Sequence, residues 1–203
     1  MVELGVVECW NEITFMTKYI LHGGAASKKT QDNKSFFREA VTGLQSGATI
    51  LCVYFSRQRE KWPQMLEQDT ENFCSISEQK DLNMVVASEA PDIFIDQIKQ
   101  ADVVYLRGGE TEMLQQALEK IQKFENLLKD KVVCASSAGV YVVSSYYYSN
   151  TRQDIFKGLG ILPIKTLCHY SDEKQNEREM LENYGEDLKV YALPEEKFVV
   201  IED

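Results

Sequence analysis

The sequence predicts an α/β protein, a three-layer sandwich whose mostly parallel central sheet carries helices on both faces. Short apolar runs alternate with longer stretches of helical periodicity, the pattern of parallel strands joined by helical crossovers. The runs at 49–55 and 132–134 are nearly continuous in apolar residues, as strands covered on both faces are. Several runs end in glycine or other small residues, at the carboxyl edge where open α/β sheets gather their ligands.

Taken in order, residues 18–21 read as a strand that closes in His22-Gly23-Gly24-Ala25-Ala26. Residues 35–44 carry Phe36, Phe37, Ala40, Val41 and Leu44 at helical spacing and stop near Gly47. The strand at 49–55 precedes a polar helical stretch through Trp62, Met65 and Leu66. Residues 84–87 form a strand, and 90–98 a short helix that Pro91 can begin. A strand at 101–106 closes in Arg107-Gly108-Gly109-Glu110-Thr111. From 112 to 128, Met113, Leu114, Ala117, Leu118, Ile121 and Phe124 predict one amphipathic helix. The strand at 132–134 runs into Ala135-Ser136-Ser137-Ala138-Gly139. Residues 140–148 are β-branched and aromatic, against helix propensity, but their position after a strand-ending turn predicts a helix. An extended segment at 161–167, an acidic helix at 171–184 capped by Ser171 and stopped by Gly185, and strands at 190–193 and 197–201 complete the chain.

Bulk properties set the limits. The 203 residues suffice for one domain with its own core, expected over 16–203, with 1–15 an extension or a misassigned start. No apolar run approaches the roughly 20 residues of a membrane helix, and the amino terminus has no signal-peptide pattern. A net charge of −10 without a basic stripe argues against a nucleic-acid binder. The five cysteines are scattered, without a C-x-x-C pair, which fits a reduced cytoplasmic setting. Two histidines and no clustered ligands predict neither a metal nor another cofactor.

The small-residue run at 135–139 is close to the nucleophile elbow Gly-x-Ser-x-Gly, with Ala135 in the first glycine position, Ser137 at the apex and Gly139 last. A tight strand-to-helix turn without chemistry would use the same residues. A serine hydroxyl needs a base, and His169, at the end of an apolar extended segment, is a candidate. A carboxylate should orient that imidazole. Asp154 is the single acidic residue between Ser137 and His169 in sequence, and a solvent-facing loop acid is the competing reading. The glycine pairs at 23–24 and 108–109 could present backbone amides to a ligand or simply serve their turns.

The ordered set Gly108-Gly109-x-Thr111, Ala135-x-Ser137-Ala138-Gly139 and His169-Tyr170 resembles the dipeptidase E (aspartyl dipeptidase) family of serine peptidases, which includes cyanophycinase. The resemblance runs from about residue 18 to the carboxyl terminus. It implies a class I glutamine amidotransferase-like, flavodoxin-like fold, with Ser137 as nucleophile and His169 as general base. It further implies an oxyanion hole from the backbone N–H groups of Gly109 and Ala138, and Arg178 as partner of a substrate aspartate. The chain departs from the family pattern at Ala135, at Glu110, where asparagine is common, and in a shortened segment around Asp154. Glu110 would put a negative charge beside the substrate.

The expected function is therefore hydrolysis of small peptides, with N-terminal aspartyl dipeptides as the specificity the resemblance implies. The alternative is a non-catalytic member of the fold that binds a small amino-acid-like ligand. A cysteine amidotransferase is a weaker third, since Cys134 precedes the elbow on the strand. No nucleic acid or membrane is expected as a partner.

Overall fold

The computed structural model describes residues 16–76 and 81–203. The expected amino-terminal extension lies outside these residues. Strands β1 (Lys18–His22), β2 (Thr49–Val53), β3 (Asn83–Val86), β4 (Val103–Leu106), β5 (Val132–Ser136) and β10 (Phe198–Glu202) form a six-stranded sheet in the order β10-β1-β5-β4-β2-β3. All neighbours are parallel except β10, which pairs antiparallel with β1. The inner strands β1, β2, β4 and β5 are almost entirely buried, which is why they read as unbroken apolar runs.

Both faces are covered. Tyr105 of β4 meets Phe36 and Phe37 of α1 (Gln31–Val41) and Phe73 of α2 (Trp62–Cys74). Its neighbour Leu106 points the other way and packs against Gly139 of α6 (Ala138–Val143). On the second face Phe94 of α3 (Pro91–Gln100) also stacks on Phe124 of α5 (Phe124–Leu127). A methyl group at Gly139 would come 2.3 Å from the carbonyl oxygen of Leu106, so only glycine lets the elbow helix lie this close to the sheet.

A second sheet departs from the expected single layer. Strands β6 (Ser144–Ser149), β7 (Asp154–Lys157), β8 (Leu162–Tyr170) and β9 (Lys189–Pro194) pair in the order β7-β6-β8-β9. Helix α7 (Gln175–Glu182) packs on β6, β8 and β9.

Three expectations are corrected here. The helix expected over 140–148 ends at Val143, where Ser144 turns extended and its Oγ donates to the Val140 carbonyl, 2.7 Å away. The aromatic half becomes β6, as its composition prefers. The helix expected over 112–128 breaks into α4 (Thr111–Leu118) and α5, because Lys123 takes a left-handed φ of 54°. Strand β7, which contains Asp154, follows a turn where a loop was expected.

No described helix is long and apolar enough to cross a membrane.

Candidate active site

Ser137 follows the last residue of β5 and precedes the first of α6, with φ 49° and ψ −103°. A non-glycine residue at positive φ is held there by its surroundings. Its N–H donates to the His22 carbonyl (3.0 Å), and its own carbonyl accepts the Tyr141 N–H (3.0 Å). Between these anchors the side chain is thrust off the end of the sheet, the geometry of an elbow.

His169 also sits at positive φ, 54°, at a break in the β8–β9 register between Cys168 and Tyr170. This bulge turns its N–H to the Gly23 carbonyl, 2.9 Å away, and re-aims its side chain toward the elbow. Tyr141 of α6 fastens the strand just before the bulge. Its hydroxyl accepts the Cys168 N–H (3.2 Å), and Asn150 Nδ2 donates to the Cys168 carbonyl (2.8 Å).

His169 Nε2 lies 2.9 Å from Ser137 Oγ, and Nδ1 lies 3.0 Å from Glu195 Oε1. A carboxylate only accepts, so Nδ1 carries the proton and Nε2 is left to accept from the serine hydroxyl. Glu195 stands in the turn between β9 and β10, where Lys28 Nζ contacts its other oxygen at 2.8 Å. Lys28, and after it His169, hold the Glu195 carboxyl below the usual carboxylate range.

Asp154, expected to orient the imidazole, is not at this site. It begins β7, exposed, and its Oδ1 accepts the N–H of Ile155 (2.8 Å). Pairing of β7 with β6 fixes it at the edge of the second sheet, and Glu195 occupies the position beside Nδ1. Composition gave one clue to Glu195: a carboxylate pair, Glu195-Glu196, stands between two strand signals. Glu195 lies 26 residues beyond His169, outside the stretch between His169 and Ser137.

Arg178 is likewise elsewhere. It lies on α7, where its Nε meets Glu182 Oε1 at 2.8 Å, a partner one helical turn away. It does not line the cleft that contains Ser137 and His169.

That cleft encloses ≈ 900 Å³. The 108–111 segment, including Glu110, forms one wall, and Asn150 to Arg152 form another. Gly109 packs under the β2–α2 loop: a methyl group there would come 2.4 Å from the Ser56 carbonyl oxygen. Ala138 is the first residue of α6, whose initial N–H groups have no partner within the helix. Ala138 follows Ser137 directly; across the cleft Gly108 is close, where a Cβ would lie 3.3 Å from that of Ser137, and Gly109 is the next lining residue.

The first glycine pair packs closely too. A Cβ on Gly24, at φ 121°, would fall 2.2 Å from His169 Cε1, and one on Gly23 would fall 2.0 Å from the Pro194 carbonyl oxygen. Both residues let β1 press directly on the histidine and on the strand that leads to Glu195. His22 is wholly buried. The Gly24 N–H donates to its Nδ1 (3.1 Å), so Nε2 carries the hydrogen and donates to Asn33 Oδ1 (2.8 Å). Burial lowers its pKa to about 4, which makes it a neutral structural residue and not a second base.

The model of peptidase family S51 matches residues 19–203. The chain belongs to peptidase family S51. Two solved structures share the S51 chain's fold. A peptidase from an acI-B1 Actinobacterium superposes with a TM-score of 0.66 at 16% identity, covering 93% of this chain and 84% of the other. A protein described as a peptidase E, from Listeria monocytogenes EGD-e, gives 0.63 at 17% identity, covering 92% and 95%. No curated protein sequence matches significantly. The fold is α/β with mostly parallel sheets, of the class I glutamine amidotransferase type expected. The cysteine alternative loses its footing in this S51 member: Cys134 is fully buried, and burial pushes its thiol pKa up, away from reactivity.

Proposed function

We propose that this S51 peptidase hydrolyses short peptides with Ser137 as nucleophile, His169 as general base and Glu195 as the group that orients the imidazole. The observation that carries this reading is the continuous contact Ser137 Oγ–His169 Nε2–Glu195, at 2.9 and 3.0 Å, with both ends on strained or turn backbone. Hydrogen-bond reach from nucleophile to base and from base to carboxylate is what acyl transfer by serine requires.

In this reading the Ser137 hydroxyl gives its proton to His169 Nε2 as Oγ attacks the peptide carbonyl. Glu195 stabilises the imidazolium that results. The N–H groups of Gly109 and Ala138 receive the oxyanion, a contribution of about 10²–10³ in rate for one such donor. His169 then protonates the leaving amine, the C–N bond breaks, and an ester on Ser137 remains. Water attacks that ester with the same base and releases the acid. A cleft of ≈ 900 Å³ lined largely by polar side chains suits a short peptide. N-terminal aspartate as the preferred residue does not draw on Arg178, which lies outside the cleft.

The test is labelling by an active-site-directed fluorophosphonate, with wild-type protein and Ser137→Ala compared, followed by amine release from a dipeptide panel. Labelling lost in Ser137→Ala is the expected result. Labelling that persists in the variant refutes the nucleophile. Absence of both labelling and hydrolysis favours a ligand-binding member of the fold.

A further inference from the structure

The charges around the cleft do not all neutralise one another. Four cations line it, Arg57, Lys61, Arg107 and Arg152, against two carboxylates, Glu110 and Glu112, in a chain of net charge −10. Arg107 contacts Asp69 at 3.2 Å and donates to Gln68 at 2.9 Å. Arg152 pairs with Glu112 at 2.8 Å. The side chains of Arg57, Lys61 and Glu110 have no ion pair or hydrogen bond among the described residues.

Arg57 differs from Lys61 in how it is mounted. Its N–H donates to the Tyr54 carbonyl (2.9 Å), and its carbonyl accepts the indole N–H of Trp62 (3.0 Å). The preceding Ser56 is stitched to the opposite loop: Oγ donates to the Arg107 carbonyl (2.9 Å), and its carbonyl accepts the Glu110 N–H (2.9 Å). These four bonds hold the loop against Gly109, and a Cβ at Gly109 would fall 2.8 Å from Arg57 Nε. The loop therefore delivers a guanidinium over Gly109, into the cleft that holds Ser137, while leaving its N–H groups uncommitted.

We propose that Arg57 is the specificity residue of this cleft and binds a carboxylate of the short peptide held at Ser137. The proposal rests on the hydrolase reading above. A guanidinium on a fixed main chain pays little to be ordered and can grip a carboxylate with two parallel hydrogen bonds. A locally cationic cleft in an acidic chain draws anions from solution. Glu110, free in the same cleft, supplies the opposite charge, so the pair suits an unblocked, zwitterionic peptide over a neutral one. The carboxylate has two sources, the peptide's own terminus or an acidic side chain.

Four peptides separate the sources: Asp-Leu, Ala-Leu and the C-terminal amide of each. They are to be compared with wild type, Arg57→Ala and Arg57→Lys, each first shown to melt cooperatively. In Arg57→Ala, kcat/KM for carboxylate-bearing peptides, relative to Ala-Leu amide, should fall by roughly 10–100-fold. The fall should appear mainly in KM, and Arg57→Lys should restore only part of it. A loss shown by Ala-Leu names the terminal carboxylate, and a loss shown by Asp-Leu amide names the side chain. An equal loss on all four peptides, or none, overturns the proposal.

Binding of the same peptides, measured by calorimetry, decides the case if none is hydrolysed. Binding that Arg57→Ala abolishes sustains the proposal, and equal or absent binding overturns it. Fluorophosphonate labelling of Ser137 needs no carboxylate and judges the hydrolase reading separately. Labelling without an Arg57 effect sinks only this inference. Arg57-dependent binding without labelling sinks only the hydrolase.

Discussion

Glu195 Oε1 lies 3.0 Å from His169 Nδ1, and the two residues are 26 positions apart on adjoining strand ends. The pairing assigns Nε2 the role of acceptor toward Ser137, and the carboxylate holds the ring in the orientation that the bulge of its own strand sets. Replacing Glu195 by Gln should lower kcat by about 10²–10⁴-fold, because an amide can turn its NH₂ toward the ring and favour the wrong tautomer. Asp154→Asn should keep the wild-type rate. Steady-state hydrolysis of one good dipeptide by both variants checks the assignment, and the opposite ranking would return the role to Asp154.

Gly24 tests how tightly the imidazole is boxed in. Alanine there must adopt φ 121° and place its methyl 2.2 Å from His169 Cε1. Activity should fall by about 10²-fold as the ring is displaced from Ser137. Gly43→Ala provides the control: φ is 82°, but its Cβ would meet nothing within 4 Å. Both variants bear the backbone strain, and Gly24→Ala alone should lose the rate. Equal activity in the two would mean that the ring has room to move.

His22 should shape the acid limb of stability. Its pKa falls from 6.5 to about 4 on folding, chiefly through burial. The unfolded chain then binds a proton that the native state refuses, so stability is full above pH 6.5 and is lost as pH falls toward 4. Between pH 7 and pH 5 the loss should be about 2 kcal/mol. Asp69, raised by burial to about 6, acts with the opposite sign: its contribution is present below the ordinary carboxylate range and is lost as pH rises through 6. Urea unfolding of wild type and His22→Gln at both pH values isolates the histidine. The variant should lack the 2 kcal/mol drop, and an unchanged difference would show that His22 titrates normally.

The Asp69–Arg107 pair should be costly to break. Asp69 is 1% exposed and accepts the Tyr54 hydroxyl proton at 2.8 Å. Arg107 Nη1 touches it at 3.2 Å without hydrogen-bond alignment, so the contact is one of charge. Asp69→Ala would leave a guanidinium 12% exposed without its counter-ion, at a cost of about 3–5 kcal/mol in urea unfolding at pH 7. A change under 1 kcal/mol would mean that water reaches Arg107.

The sequence made the six-stranded sheet and the elbow legible for a physical reason. Strands buried on both faces must be apolar throughout, and an elbow must be small, so β2, β5 and residues 135–139 announce themselves locally. Ser137 and His169 were legible because few residues of their kind end a strand. Glu195 was not, since its role depends on two strands from different sheets meeting, and a carboxylate pair between strand signals does not say where those strands go. Arg178 failed for the complementary reason. The family resemblance suggested it by its place shortly after His169, yet on α7 it pairs with Glu182 one turn along the same helix, outside the cleft. The division at 143–144 was hidden because position and propensity pulled in opposite directions, and each won over half the segment.

The turn that bears Glu195 is where the chain leaves the four-stranded sheet at Pro194 and joins the six-stranded one at Phe198. Ser137 directly follows a strand of one sheet, His169 lies in a strand of the other, and Glu195 stands on the bridge between them. In the proposed mechanism catalysis is thus a gauge of how the two sheets are seated. A sub-ångström slip along that seam would silence the enzyme while every strand remained paired, so turnover should fail on warming before spectroscopic signs of unfolding emerge.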